Sequence, residues 1–394
     1  MDKQKKMIPY GGWWLDEATY QHVMSEKHPF IEYERFTQFD AHQIRDEKGA
    51  FAVWHPSKLK LFYFTQQTSD AVDCKVLNIS ESGMIIEMEY LVPISLSSRQ
   101  IRDVVHHEVQ SLILFVFDKH ILIWNYEKQE IPYEYHVEND AEFTRGGFFP
   151  DDETIWYLIT SNNGGIDWGI WNYRTGTSEV NVLEDEFYGR NAVLHPSGKL
   201  FSAVWTEYQC GYYVYQAMSI EKRLFFYSKP APRRYEYMAY SPVFSVDGRV
   251  IAFFTNPDLM LHKNHTMICL YEFESGNLIT EFYTGTNRGE RYLQFVDNGK
   301  TLAFYVKDEP YLHIFNTKTG KKITTAITPS KIRHFTGHAL FGFYAVTHEK
   351  GLTVFFDSEN LGVSTSDSNQ ETANRIAASF MESYRDCLVN QPFR

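Results

Sequence analysis

Along the chain an apolar pair followed by Asn or Asp, and then by a turn rich in Ser, Thr, Gly and Glu, returns again and again. It reads VLNISESG from Val76, IWNYEKQE from Ile123, IWNYRTGT from Ile170, VYQAMSIE from Val214, LYEFESGN from Leu270, IFNTKTGK from Ile314 and FFDSENLG from Phe355. The polar markers (Asn78, Asn125, Asn172, Gln216, Glu272, Asn316, Asp357) stand 41 to 56 residues apart. A second signature precedes most markers by about two dozen residues or more, with the Pro/Asp/Gly punctuation that a tight turn between neighbouring strands requires. Its clear copies are AVWHPSKLKLF from Ala52, GFFPDDETIWY from Gly147, AVLHPSGKLFS from Ala192, VFSVDGRVIAF from Val243 and LQFVDNGKTLAF from Leu293. Degenerate copies are VVHHEVQSLILF from Val104 and RHFTGHALFGFY from Arg333.

Each unit therefore reads as strand, tight turn, strand, loop, strand ending at the marker, turn, strand. That is the strand order of a propeller blade, whose period is roughly 40–45 residues. A pair of β-sandwiches would not need one marker at a nearly fixed interval over the whole body. The pattern predicts an all-β chain folded as a seven-bladed β-propeller over residues 30–363. IWNYRTGT and IFNTKTGK resemble the tail of WD40 repeats, and the two turns extend that resemblance over most of the chain. The chain departs from the WD40 pattern in lacking regular Gly-His pairs and in having no Trp-Asp at the marker. The resemblance implies a fold and a scaffolding role, and names no subfamily.

A ring of sheets must close, because open first and last sheets leave unpaired edges. After the seventh marker only LGVSTS precedes a polar linker, so FIEYERFTQF (30–39) is the expected closing strand, supplied by the N-terminal side. Outside the ring, residues 1–29 are expected to hold a short helix capped by Asp16 and ending near Met24. Residues 364–394 are expected to form a polar linker and an amphipathic helix, since Ala373, Ile376, Ala377, Phe380, Tyr384 and Leu388 recur at three- and four-residue spacing.

Composition narrows the function. Aromatic residues make up 16% of the chain, which favours strands. A net charge of −12 repels polyanions at a distance and makes general nucleic-acid binding unlikely to be the task. No stretch has signal-peptide or membrane-spanning character. Cys74, Cys210, Cys269 and Cys387 are scattered without metal or disulfide spacing, so the expected location is the cytoplasm. No cofactor or metal is expected: GxSxG, P-loop and HExxH motifs are absent, and the His106/His107 and His262/His265 pairs lack further ligands. His55 and His195 occupy equivalent places in the turn repeat, which points to a structural role.

Two readings of function follow. In the first, the chain is a non-catalytic interaction platform that meets one or more proteins in a cytosolic assembly through long loops. Its contact residues are then Arg233, Arg234, Tyr235 and Tyr237 in one loop, Leu259, Met260 and Leu261 in another, and Trp168 in the Gly-rich SNNGGIDWG segment. In the second, Arg102, Arg145, Arg190, Arg291 and Arg333, each just ahead of an inner strand, converge on the channel mouth to bind or process a small anionic ligand. Nearby Asp103, Asp185, Glu186 and Glu290 offer local partners for the same arginines.

Overall fold

The computed structural model describes residues 7–10, 13–16, 40–45, 49–66, 72–80, 82–92, 94, 101–137, 141–160, 166–182, 192–204, 212–216, 219–223, 239–255, 267–283 and 291–356. Their strands form seven four-stranded antiparallel sheets and one separate hairpin. Blade 1 runs Gly49–Trp54, Lys60–Gln66, Val72–Ser80, Gly83–Val92, with neighbours in sequence also neighbours in space. Blades 2 to 6 repeat that order from the inner strands Ile101–His106, Glu142–Phe148, Ala192–Leu194, Ala239–Phe244 and Arg291–Val296. The first strands of successive sheets touch one another at most junctions, which places them innermost. Blade 4 has an inner strand of three residues, whereas the other inner strands have six or seven.

The hydrophobic pattern follows from this stacking. A second strand lies in the middle of its sheet and is covered by a blade on either face, so it needs no alternation. LILFVF (Leu112–Phe117) and TLAFYV (Thr301–Val306) are buried at every position. An outer strand meets solvent, and EIPYEYH (Glu130–His136) alternates exposed and half-buried residues. The cores accordingly lie between blades: Phe64, Phe115 and Trp124 knit blades 1 and 2, while Phe254 and Phe304 join blades 5 and 6 edge to face.

The marker residue has a local task. Asn172 Oδ1 accepts hydrogen bonds from the amides of Arg174 and Thr175, and Asn316 Oδ1 accepts from those of Lys318 and Thr319. Each closes the turn into the outer strand, and the turn ends on Gly176 or Gly320, whose φ values of 76° and 66° suit glycine. At Glu272 the same turn is held by Ser275, whose hydroxyl donates to the carboxylate.

Blade 7 consists of Ile332–Gly337, Phe343–His348 and Gly351–Phe356, and its fourth strand is Asp40–Arg45. Asp40 pairs with Phe356 and Arg45 with Gly351. This corrects the expected closing strand: 30–39 lies outside the described residues, and the pairing begins directly after it. DAHQIR is inconspicuous because an outermost strand must bury only one face. His42 and Ile44 turn inward while Ala41, Gln43 and Arg45 are exposed. His42 stacks obliquely on Phe356 and its Nε2 lies 3.0 Å from the Ser80 carbonyl of blade 1. Deeper in the same seam Trp54 Nε1 donates to the Thr336 carbonyl at 3.0 Å, and Ile44 packs on a cluster that includes Trp54, Leu77, Leu352 and Phe356.

The N-terminal helix also needs correction at its start. Asp16 is the last residue of a strand, Trp13–Asp16, that pairs with Met7–Tyr10, and two glycines separate the strands in sequence, a common hairpin connection. There is no helix among the described residues. Residues 17–24 and the expected C-terminal helix at 371–389 lie outside them.

The closing strand yields a test. Ile44→Asp places a carboxylate against the blade 1–blade 7 core and is expected to cost about 1–3 kcal/mol in urea unfolding. Gln43→Asp, on the exposed side of the same strand, is expected to leave the urea midpoint almost unchanged.

Candidate functional site

The tight turns after the inner strands gather on one face of the ring, and histidine occupies the same place in four of them. Ring Nδ1 accepts a backbone N–H two residues ahead in each case: Ser57 to His55 at 3.2 Å, Val109 to His107 at 3.1 Å, Ser197 to His195 at 3.1 Å and Leu340 to His338 at 3.1 Å. With Nδ1 accepting, the neutral ring carries its proton on Nε2. That atom reaches the next blade. His195 Nε2 donates to the Gly248 carbonyl and His338 Nε2 to the Lys58 carbonyl, both at 3.0 Å. His107 Nε2 lies 3.2 Å from Asp152 Oδ1, off the line of a hydrogen bond.

His55 and His195 thus hold their turns alike. His107 and His338 do the same in the two degenerate copies, where the missing Pro-Asp-Gly residues conceal the equivalence. The signal that identifies them is a histidine five residues before the buried start of the second strand, as in His107–Leu112 and His338–Phe343.

Burial keeps these rings neutral. Desolvation lowers His195 and His338 to about 4 and His55 to about 4, with Lys58 adding to the effect on His55. His107 is lowered by desolvation against the opposing pull of Asp152. The adjacent His106 is brought to about 3, again chiefly by burial. His106 and His107 cannot chelate one ion through their rings, because successive strand residues face opposite ways. The His106 ring packs on His55 and Phe62, whereas the His107 ring meets Phe148 edge-on. Among the described residues no group of three or more His, Cys, Asp or Glu is placed to hold a metal ion.

Between blades 2, 3 and 4 this face opens into a cavity of about 200 Å³. His107, Glu108, Asp152 and His195 supply its polar wall, and Phe148, Phe149 and Trp156 its aromatic wall. The PDDE turn shapes one side. Asp151 Oδ1 accepts from the amides of Glu153 and Thr154, which turns Asp152 outward at a φ of 61°. Gln110 of blade 2 donates to the Asp152 carbonyl at 3.2 Å and fixes the two turns together. Of these cavity residues the sequence singles out only the His106/His107 pair and the repeated His195, and none of them as part of a shared site, because the cavity exists only where three blades meet.

The arginines do not stand as an unopposed ring. Arg102 Nη2 is 3.1 Å from Glu142 Oε2 on the neighbouring blade. Arg145 Nη1 donates to the Pro242 carbonyl at 3.0 Å, and its Nε is 3.8 Å from Asp103 Oδ2. Arg145 therefore links blade 3 to blades 2 and 5, reaching past the short inner strand of blade 4. Arg291 is buried in its strand, and its carbonyl accepts from Ser241 Oγ at 3.3 Å. Arg333 is exposed. Arg190 lies outside the described residues. The carboxylates reduce the positive potential that an approaching anion would meet.

Of the loop residues, Arg233, Arg234, Tyr235, Tyr237, Leu259, Met260 and Leu261 lie outside the described residues. Trp168 is described and leaves the expected contact set. It is 5% exposed, paired opposite Leu158 in the centre of blade 3, and its indole packs towards Phe149. A strand residue in a covered sheet spends its surface on the core.

No family model matches the chain, and no curated protein matches it. A search of solved structures does find a match, the β-propeller domain of Cps50 (Swd1) from Myceliophteria thermophila. The TM-score is 0.58 at 11% identity, over 81% of this chain and 99% of that one. The chain has a β-propeller fold. At this identity the likeness concerns the propeller's architecture alone. Among the described residues of the propeller no helix is long and apolar enough to cross a membrane.

The histidine belt predicts an acid-sensitive fold. Since each folded pKa lies below the ordinary 6.5, the stabilisation is complete above about pH 6.5 and is lost as pH falls towards 4. For the fully buried His338 the linkage amounts to about 3 kcal/mol. Thermal melts from pH 7 to 4.5 should show a falling Tm, and His338→Gln should melt lower at pH 7 but with a shallower pH dependence.

Proposed function

We propose that the chain is a seven-bladed propeller acting as a non-catalytic protein-interaction platform in a cytosolic assembly. The observation that carries this reading is the outer strand of blade 1. Gly83–Val92 is ten residues long, pairs among the described residues only with Val72–Ser80, and exposes Ile85 (70%), Leu91 (60%), Met88 (51%) and Ile86 (49%). Edge strands are ordinarily kept short or charged, because their free backbone groups recruit other chains. Here Glu87 and Glu89 are interleaved with large apolar residues, an arrangement suited to a selective contact. WD40 propellers commonly bind proteins, which supports the same reading.

The loops with Arg233, Arg234, Tyr235 and Tyr237, and with Leu259, Met260 and Leu261, complete the proposed contact surface. Arg and Tyr are favoured where an interface concentrates its binding energy, and a Leu-Met-Leu run supplies apolar area.

The test is capture from the native host by tagged, crosslinked protein, read by mass spectrometry. The unmodified chain should co-elute with a protein in stoichiometric amount. Ile85→Lys/Met88→Glu/Leu91→Lys and Arg233→Ala/Arg234→Ala/Tyr235→Ala should each lower that yield about tenfold or more while circular dichroism stays unchanged. Unaltered capture by both variants would sink the proposed surfaces, and a solitary wild-type protein would sink the platform.

A further inference from the structure

The cavity on the turn face combines features that neither the ring's closure nor its core requires. Its volume of about 200 Å³ is below the roughly 300–1,000 Å³ of sites that enclose a drug-sized molecule, and suits a single side chain. One wall is aromatic, made by Phe148, Phe149 and Trp156, and the carboxylates of Glu108 and Asp152 belong to the same lining.

Those two carboxylates differ from their neighbours. Asp151 is committed to its own turn, and Glu153 faces Arg174 at 3.8 Å. Glu108 and Asp152 form no ion pair with a lysine or arginine among the described residues; the charge acting on Glu108 is that of Asp152. Glu108 is exposed at its outer edge yet set deeply enough in protein for its carboxyl to be pushed up, by desolvation first and by Asp152 second. Between them lies His107, 2% exposed, whose Nε2 has no aligned hydrogen-bond partner. His107 and His195 are held neutral and set no positive charge against a cation. The site therefore has negative charge without a lysine or arginine counter-ion among the described residues, and an apolar wall for a stem.

We infer that the cavity between blades 2, 3 and 4 receives a lysine or arginine side chain of a partner protein, with its stem against Phe148, Phe149 and Trp156 and its charge between Glu108 and Asp152. Aromatic faces attract cations, and removal from water strengthens the pairing with the carboxylates. The occupant is a protein side chain because the cavity ends in solvent at the turn face and has room for little more. This inference rests on the interaction-platform reading and adds a specificity element to it, remote from the blade 1 rim.

The test uses the full chain and small probes. N-acetyl-arginine amide and N-acetyl-lysine amide are titrated in while the ¹H–¹⁵N indole signal of Trp156, assigned with Trp156→Phe, is followed. The expected result is a saturable shift by at least one of the two, with N-acetyl-norleucine amide giving none. Glu108→Gln/Asp152→Asn should weaken the affinity about tenfold or more. Asn tolerates the left-handed backbone at position 152, so the double variant keeps the turn. Equal shifts from the neutral norleucine probe, or unchanged affinity in the double variant, would overturn the inference. Partner capture separates the two readings. If the double variant ignores the probes but captures its partner as well as wild type does, the cavity inference fails and the platform stands. If wild type captures nothing while the probes still bind, the platform reading fails and the cavity is a cation site of another use.

Discussion

The faces of a blade are covered by the blades beside it, and most of the molecule depends on that mutual cover. A four-stranded sheet with both faces apolar cannot persist in water alone; it becomes stable when a neighbour lies against each face. The continuous burial of Leu112–Phe117 and Thr301–Val306 follows from this constraint, as does the location of the cores between sheets. It also makes the seam at blades 7 and 1 decisive. There a strand pairing completes blade 7, and blades 1 and 7 are joined by the Trp54–Thr336 hydrogen bond and the contact of His338 with Lys58.

The histidine turns express the same constraint in polar form. Turns at the edge of a packed interface leave backbone groups half removed from water, and an unpartnered group there is costly. One neutral imidazole satisfies an amide in its own turn through Nδ1 and, at His195 and His338, a carbonyl in the next blade through Nε2. Where histidine is missing, other groups hold the turn, as Ser245 and Asp247 do in blade 5. The cavity near His107 marks the junction at which this satisfaction is incomplete.

What the sequence made legible was whatever repeats. The Asn markers, the Thr-Gly turns and the tight-turn histidines have one local job each, done several times, so their pattern rises above the noise of any single copy. Asp40–Arg45 has no counterpart to compare with: it is a lone outermost strand with two inward side chains, and a richer apolar run just before it drew attention instead. Trp168 was misleading because a Gly-rich neighbourhood suggests a loop, while its own place is in a strand between blades. The cavity was invisible for a third reason. His107, Glu108, Asp152 and Trp156 are up to 49 positions apart, and no periodicity links residues that meet only across blade junctions.

The closing strand also sets an order of events during synthesis. Asp40–Arg45 leaves the ribosome before any of the seven inner strands, yet its partner, Gly351–Phe356, is made some 300 residues later. At translation speeds of about 5–20 residues per second, the early strand waits many seconds with its ladder unfilled. During that interval the last blade of a finished copy nearby, if its own seam has opened, is an equally good template. Crowded synthesis on one message would then give molecules joined by exchange of this strand, each ring locked by its neighbour's beginning instead of its own.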